Sequence, residues 1–237
     1  LFWNNHDQPR AIDRFADPEH YHAESATMLA TVIHLLRGTP YVYMGEEIGM
    51  TDPAYLSIED YVDVEARNAY NELTTGGMGA QEAFTIARTP MQWNAEAPGA
   101  GFTSGTPWLR PTNQQAVNVE REEAQGRILP YYRRLIALRK ELHIISRGAY
   151  APYLMEHEDV LAYTREHDDS RLMVLCSFRG HDTEVPVPEA FASARILIGN
   201  YDGNDRIRSS DELPPVADRL EAGTIRLRPY EAIALLA

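Results

Sequence analysis

The chain has 237 residues, 44% hydrophobic and 24% charged, which is the balance of a globular protein with one large domain or two modest ones. A formal net charge of −13 argues against a nucleic-acid partner, because such proteins carry basic stripes that displace counterions from phosphates. No apolar run approaches the roughly 20 residues that span a bilayer, so no membrane partner is expected, and the lone cysteine, Cys176, rules out a disulfide within the chain. A reducing, cytoplasmic setting fits that cysteine usage best.

The chain opens with the apolar triplet Leu1-Phe2-Trp3, expected as a buried strand, and runs straight into Asn4, Asn5, His6, Asp7, Gln8, Pro9 and Arg10. A strand whose C-terminal end carries His and Asp is how a (β/α)-barrel presents catalytic groups at its mouth. From residue 24 to 37, Met28, Leu29, Val32, Ile33, Leu35 and Leu36 recur at helical spacing, with Gly38 at the stop position and Pro40 just beyond. Residues 38–43 are expected as a second short buried strand, ending in Met44-Gly45-Glu46-Glu47. Residues 59–73 read as a helix. The stretch 75–125, rich in Gly, Pro, Thr and Asn, reads as a long irregular excursion of the kind that is usually functional. An amphipathic helix follows over 126–142, with Leu129, Tyr132, Leu135, Ile136 and Leu138 on its buried side.

From about residue 148 the period changes to short β-rich runs, at 150–155, 160–163, 171–177, 194–198, 224–227 and 232–236, separated by Gly, Asp, Asn and Pro. Strands at this spacing suggest a small antiparallel sandwich. The fold class is therefore α/β followed by all-β, with one segment over 1–147 and a second domain over 148–237.

Each motif has a bland reading when taken alone. His6-Asp7 could be a satisfied pair, or half of a metal site of the HD-phosphohydrolase kind. The metal reading needs further His and Asp ligands on helices, and His20 and His22 sit in a polar, surface-like stretch. Glu46-Glu47 would ordinarily be a solvated pair, and Tyr41 to Met44 would ordinarily be core.

The combination is more specific. Asn-Asn-His-Asp-Gln-Pro-Arg at 4–10, Gly-Thr-Pro-Tyr-Val-Tyr-Met-Gly-Glu-Glu-Ile-Gly-Met at 38–50, Ala-Arg-Thr-Pro-Met-Gln-Trp at 87–93, Gly-Phe-Thr-Ser-Gly-Thr-Pro-Trp at 101–108 and Leu-Arg-Pro-Tyr-Glu-Ala at 227–232 occur in this order. Together they resemble the α-amylase superfamily, glycoside hydrolase family 13, and within it the oligo-1,6-glucosidases and trehalose-6-phosphate hydrolases. The resemblance covers essentially the whole chain. It implies the C-terminal part of a (β/α)8 TIM barrel, strands 7–8, followed by a small antiparallel β-sandwich. The implied activity is retaining hydrolysis of short α-1,6-linked gluco-oligosaccharides, with an oligosaccharide as partner and with no cofactor and no metal.

By the same resemblance Asp7 would be the carboxylate that grips the 2- and 3-hydroxyls and stabilises the oxocarbenium-like transition state. His6 would hydrogen-bond hydroxyls of that sugar. Asn5 belongs to the same substrate-binding signature, and Arg10 would be a second-layer or rim residue of it. Glu46 and Glu47 would orient neighbours. A retaining mechanism also needs a nucleophile and an acid/base about 5 Å apart. The family carries these on barrel strands four and five, both ahead of the segment matched at Leu1. A missing N-terminal barrel segment is therefore an expected partner, and the isolated chain is expected to be inactive. The alternatives are a trehalose-6-phosphate hydrolase, a transglycosylating sucrose isomerase, and a non-catalytic relative such as the heavy chains of amino-acid transporters.

One departure stands out. Phe84 occupies the position where the family has a substrate-contacting arginine, and the stretch from Asp7 to Thr89 is several residues shorter than in typical relatives. It is read either as a deletion that alters the sugar pocket or as a loop absent between Arg88 and Thr89. The second reading is adopted, and on it Arg88 is no substrate ligand.

Overall fold

The computed structural model describes residues 1–53, 55, 57–60, 64, 67–68, 71–72, 88–201 and 212–237. The chain divides into two compact units. The larger holds Leu1, Phe15–Tyr41 and Arg127–Ala237; the smaller holds Phe2–Arg14 and Val42–Gly126. A short helix α1, Ala11–Phe15, spans the boundary between these assignments.

In the larger unit, helix α2 spans His22–His34 and packs on helix α4, Ile128–Glu141, and on two strands of the main sheet. Covered on both sides, it is buried from Ser25 to His34, as a helix without a solvent face must be. Its two threonines satisfy themselves within the helix: Thr27 Oγ1 donates to Ala23 O at 2.6 Å and Thr31 Oγ1 to Thr27 O at 2.8 Å. The helix ends earlier than the expected residue 37. Leu35 N–H closes it on Thr31 O at 3.3 Å, and Gly38, at φ 115°, turns the chain away.

Arginines complete the helix C-termini. Arg139 of α4 donates to the carbonyls of His34, Leu36 and Gly38. Arg165 reaches Leu35 O at 3.1 Å, Ile145 O at 2.9 Å and Gly148 O at 2.5 Å, so it also closes helix α5, His143–Arg147. The last carbonyls of a helix lack internal partners and carry partial negative charge, which a guanidinium meets on both counts.

His34 is fully buried at this junction. Its Nδ1 lies 2.8 Å from Ala30 O, which can only accept, so Nδ1 carries the proton. Tyr132 packs edge-on at 5.3 Å. Burial pulls the imidazole pKa down to about 4, against the Ala30 bond and with the help of the Arg139 charge. The unfolded chain titrates near the ordinary value of about 6.5. As pH falls below that value the unfolded state therefore takes a proton first, and stability is lost until the folded-state group titrates near 4. The loss is on the order of 3 kcal/mol. Raised carboxylates elsewhere act in the opposite sense, so the contribution is isolated by comparison with His34→Gln. In urea unfolding, the stability of wild type relative to that variant should fall by about this amount between pH 7.5 and pH 4. A difference independent of pH would contradict the assignment.

The β part of the larger unit forms two antiparallel sheets. Five strands lie in the order β1-β2-β3-β8-β5: Ala149–Tyr153, Val160–His167, Ser170–Ser177, Ala232–Leu236 and Arg195–Gly199. Three lie in the order β4-β7-β6: Thr183–Pro186, Thr224–Leu227 and Leu220–Glu221. Val160, Ala162, Met173, Leu175, Ile233 and Leu235 from the first sheet meet Val185, Ile225 and Leu227 from the second in one apolar core. Each fully buried aliphatic side chain there stabilises by about 2 kcal/mol. Central strand β3 is buried on both faces, since α2 covers the face opposite the second sheet. Asn200 ties the sheet to α2. Its Nδ2 donates to Glu24 O at 3.1 Å and Tyr230 O at 2.8 Å, and its Oδ1 accepts from Ala232 N–H at 2.9 Å.

The two strands expected at 1–3 and 38–43 are not formed as such. Leu1 N donates to Thr39 O and Tyr41 N–H donates to Leu1 O, both at 2.7 Å. That is the alternation of a parallel pairing, though no strand forms there, and every ladder among the described residues is antiparallel.

The smaller unit is mostly irregular, as the Gly- and Pro-rich composition predicts for 88–118. Ile48, Met50, Met91 and Val117 form its apolar cluster, and Gln92 Nε2 braces it by donating to Val117 O at 2.6 Å and Asn113 Oδ1 at 3.0 Å. Helix α3, Val119–Gln125, starts where Asn118 Oδ1 accepts Arg121 N–H at 2.8 Å. The helix expected over 126–142 forms as α4, whereas α3 lies within the stretch 75–125 expected as irregular, and Gly126, with extended backbone, separates the two. The helix expected over 59–73 and the Phe84 position lie largely or wholly outside the described residues.

Candidate active site

All four residues singled out from the opening motif lie in the smaller unit. Residues 4–8 form a tight polar turn. Asn5 Oδ1 accepts Asp7 N–H at 2.8 Å, and Asn5 O accepts Gln8 N–H at 3.3 Å. Asn side chains stabilise such turns by imitating a backbone carbonyl. This presents His6 and Asp7 outward, their side chains 63% and 56% exposed, with His6 Nε2 3.3 Å from Asp7 Oδ2. The other carboxylate oxygen, Oδ1, accepts from Arg88 Nη2 at 2.6 Å, and Arg88 Nε donates to His6 O at 3.0 Å. Arg88, set aside as a substrate ligand in the sequence reading, is thus drawn onto Asp7. The only signal for it in the sequence was its place in the Ala-Arg-Thr-Pro-Met-Gln-Trp block.

Arg10 does not stand at a rim: it is 1% exposed. Its Nη1 donates to Met44 O at 2.6 Å, its guanidinium lies 5.3 Å from the Tyr43 ring, and its backbone N–H donates to Asp52 Oδ1 at 2.8 Å. Burial lowers its pKa, opposed by Tyr43, Asp52, Glu46 and Glu47. Arg10 therefore braces the loop that carries Tyr43 and Met44.

That loop is a single 3-10 turn, Glu46–Ile48, bounded by Gly45 at φ 92° and Gly49 at φ 69°. A β-carbon at Gly45 would collide with the Met50 side chain and the Arg10 guanidinium, so only glycine fits. Glu46 Oε2 accepts Tyr43 N–H at 2.9 Å and Glu47 Oε2 accepts Gly45 N–H at 2.8 Å, so both carboxylates hold the loop's own backbone. Burial lifts the Glu46 carboxyl to about 7 and that of Asp52 likewise to about 7, each against a backbone hydrogen bond that favours the charged form.

A hollow of about 230 Å³ is walled by Arg88 together with Tyr43, Met44, Phe102, Pro107 and Trp108, though not by His6 or Asp7 themselves. Phe102 and Trp108 are half exposed. Two larger hollows occur in the β part, one walled by residues between Tyr150 and Phe178 and the other by residues between Glu184 and Arg228. No group of three or more metal-ligating side chains exists among the described residues; His20 pairs with Asp17 at 3.0 Å instead. No helix among them is long and apolar enough to cross a membrane.

Residues 1–148 match the family model described as Alpha amylase, catalytic domain. The chain belongs to the α-amylase family, a family of glycoside hydrolases. It is similar to an oligo-1,6-glucosidase of Halalkalibacterium halodurans, 39% identical across 98% of this chain and 41% of that one. It is also similar to a trehalose-6-phosphate hydrolase of Bacillus subtilis, 35% identical over the same shares. Among solved structures it resembles a Bacillus licheniformis trehalose-6-phosphate hydrolase with a TM-score of 0.85 and 36% identity, covering all of this chain and 42% of that one. The chain thus spans about two-fifths of the length of the curated relatives it matches. The first alignment runs over 244 positions, more than the 237 residues present, so that relative carries residues this chain lacks.

Proposed function

We propose that the chain supplies the transition-state carboxylate of a retaining α-glucosidase acting on short α-1,6-linked gluco-oligosaccharides. The observation that carries the reading is the outward-facing pair His6 Nε2 and Asp7 Oδ2, 3.3 Å apart, with the second Asp7 oxygen already held by Arg88. A donor and an acceptor at that separation match two neighbouring hydroxyls of a pyranose ring. Asp7 is the catalytic member, stabilising the developing oxocarbenium charge, and such stabilisation is largest from groups fixed before the reaction begins. His6 binds hydroxyls, Asn5 shapes the turn that presents both, and Arg10 supports the loop of Tyr43 and Met44.

In this reading residues 1–147 are the last part of a (β/α)8 barrel, strands 7–8, and 148–237 are the β-domain that follows it, in a cytoplasmic enzyme. The nucleophile and acid/base come from a complementary N-terminal barrel segment. Phe2 and Val42 of the smaller unit, and Leu1 and Tyr41 of the larger, are apolar and exposed, as surfaces awaiting barrel neighbours would be. The chain assembled with the complementary segment of the Halalkalibacterium relative should hydrolyse isomaltose with a kcat/KM at least tenfold above that for trehalose 6-phosphate. The reverse order would replace the α-1,6 reading with the phosphate one.

A further inference from the structure

We propose that Arg88 is the positioning residue of this site, fixing which Asp7 oxygen is left for the sugar. The proposal rests on the α-glucosidase reading above for its functional meaning, but its geometry stands independently. Asp7 sits on an exposed turn, and a free aspartate there would share several staggered χ1 rotamers. Arg88 removes that freedom with one planar fork. Nη2 binds Oδ1 of the carboxylate at 2.6 Å, while Nε binds the carbonyl of the preceding residue, His6, at 3.0 Å. The fork therefore sets the side chain against the backbone that carries it. Asn5 holds the same turn from its other end through the Asp7 N–H.

The fork is itself anchored. The Arg88 side chain is only 24% exposed, against 56% for Asp7, and it walls the hollow beside Tyr43 and Trp108. Oδ1 is thus structural, and Oδ2, beside His6 Nε2, is the oxygen that meets substrate.

Two effects oppose each other. A cation next to Asp7 weakens the attraction of that carboxylate for a developing positive charge, whereas loss of orientation moves the carboxylate away from where the charge develops. Screening at a half-exposed carboxylate reduces the first. Small misplacements of a reacting or stabilising group, on the order of 1 Å, lower rates about 100-fold. Orientation wins, and removal of Arg88 slows the reaction. Lysine does not substitute, since a point charge cannot span a carboxylate and a backbone carbonyl in one plane.

The direct test is the χ1 of Asp7 in the 237-residue chain, read from three-bond scalar couplings by NMR. A single rotamer is expected in wild type, averaged couplings in Arg88→Ala and Arg88→Lys, and a return toward the single rotamer when guanidinium ion is added to Arg88→Ala. The thermal midpoint is followed alongside. Couplings unchanged in Arg88→Ala would overturn the proposal whatever the enzyme's activity. In the assembled enzyme, Arg88→Ala should lower kcat about 30-fold with little change in KM. In an Asp7→Asn background the same change should add almost nothing, because the two act as a unit. Equal losses in both backgrounds would make Arg88 merely structural. An inert wild type with averaged couplings only in the variants would sink the glucosidase reading and leave the positioning role standing.

Discussion

Asp7→Asn in the assembled enzyme is expected to lower kcat about 1,000-fold while the fold persists, a loss of roughly 4 kcal/mol of transition-state stabilisation. The amide is isosteric with the carboxylate, still offers an oxygen to Arg88, and leaves the Asn5–Asp7 turn contact untouched, since that bond uses the Asp7 backbone N–H. What it lacks is the negative charge that the proposed mechanism places beside the anomeric carbon. KM should move much less, because neutral hydroxyls bind an amide nearly as well as a carboxylate, whereas the oxocarbenium-like transition state does not. Steady-state kinetics on an aryl α-glucoside gives both numbers. Turnover within tenfold of wild type would take Asp7 off the catalytic list and leave the pair as a surface contact.

Arg165→Met is expected to have the largest effect on stability, destabilising the larger unit by about 3 kcal/mol. The guanidinium is fully buried and its hydrogen bonds go to the carbonyls of Leu35, Ile145 and Gly148, at the ends of α2 and α5. Two contributions have opposite sign. Burial lowers the Arg165 pKa, and its Nε finds no partner, so replacement by an apolar chain of similar length relieves a desolvation penalty. Against that, three carbonyls lose their donor in a dry junction, each at about 1–3 kcal/mol. The carbonyls outweigh the single Nε. Thermal unfolding should show a midpoint lowered by about 8 °C. A variant as stable as wild type would mean that water or a shifted Arg139 satisfies those carbonyls.

The β part was legible where its chemistry is local. Residues 224–227 and 232–236 alternate or run apolar between turn formers, and both strands form there with the expected bounds. Thr183–Pro186 and Leu220–Glu221 were missed, being short, ending in proline in one case, and stabilised only by partners far along the chain. The apolar triplet at 1–3 reads as a strand, but a strand is made by its neighbours, and the pairing of Leu1 with Thr39 and Tyr41 builds no ladder there. The site divides in the same way. His6, Asp7 and the turn made by Asn5 follow from one contiguous motif. Arg88 joins them from 81 positions away, a pairing no periodicity encodes. Arg10 was placed in the right neighbourhood, but its burial depends on Met44, Tyr43 and Asp52, all more than 30 residues distant.

The central claim, that these residues are one part of a divided glucosidase site, is tested most directly by release of nitrophenol from an aryl α-glucoside. The purified 237-residue chain is assayed alone and after mixing with the complementary N-terminal barrel segment, with size-exclusion chromatography to show what has assembled. The chain alone should give buffer background, and the mixture should co-elute and turn over substrate, since in the proposed reading only together would nucleophile, acid/base and Asp7 surround one sugar. Turnover by a monodisperse chain alone, or a co-eluting mixture that stays inert, would contradict the account.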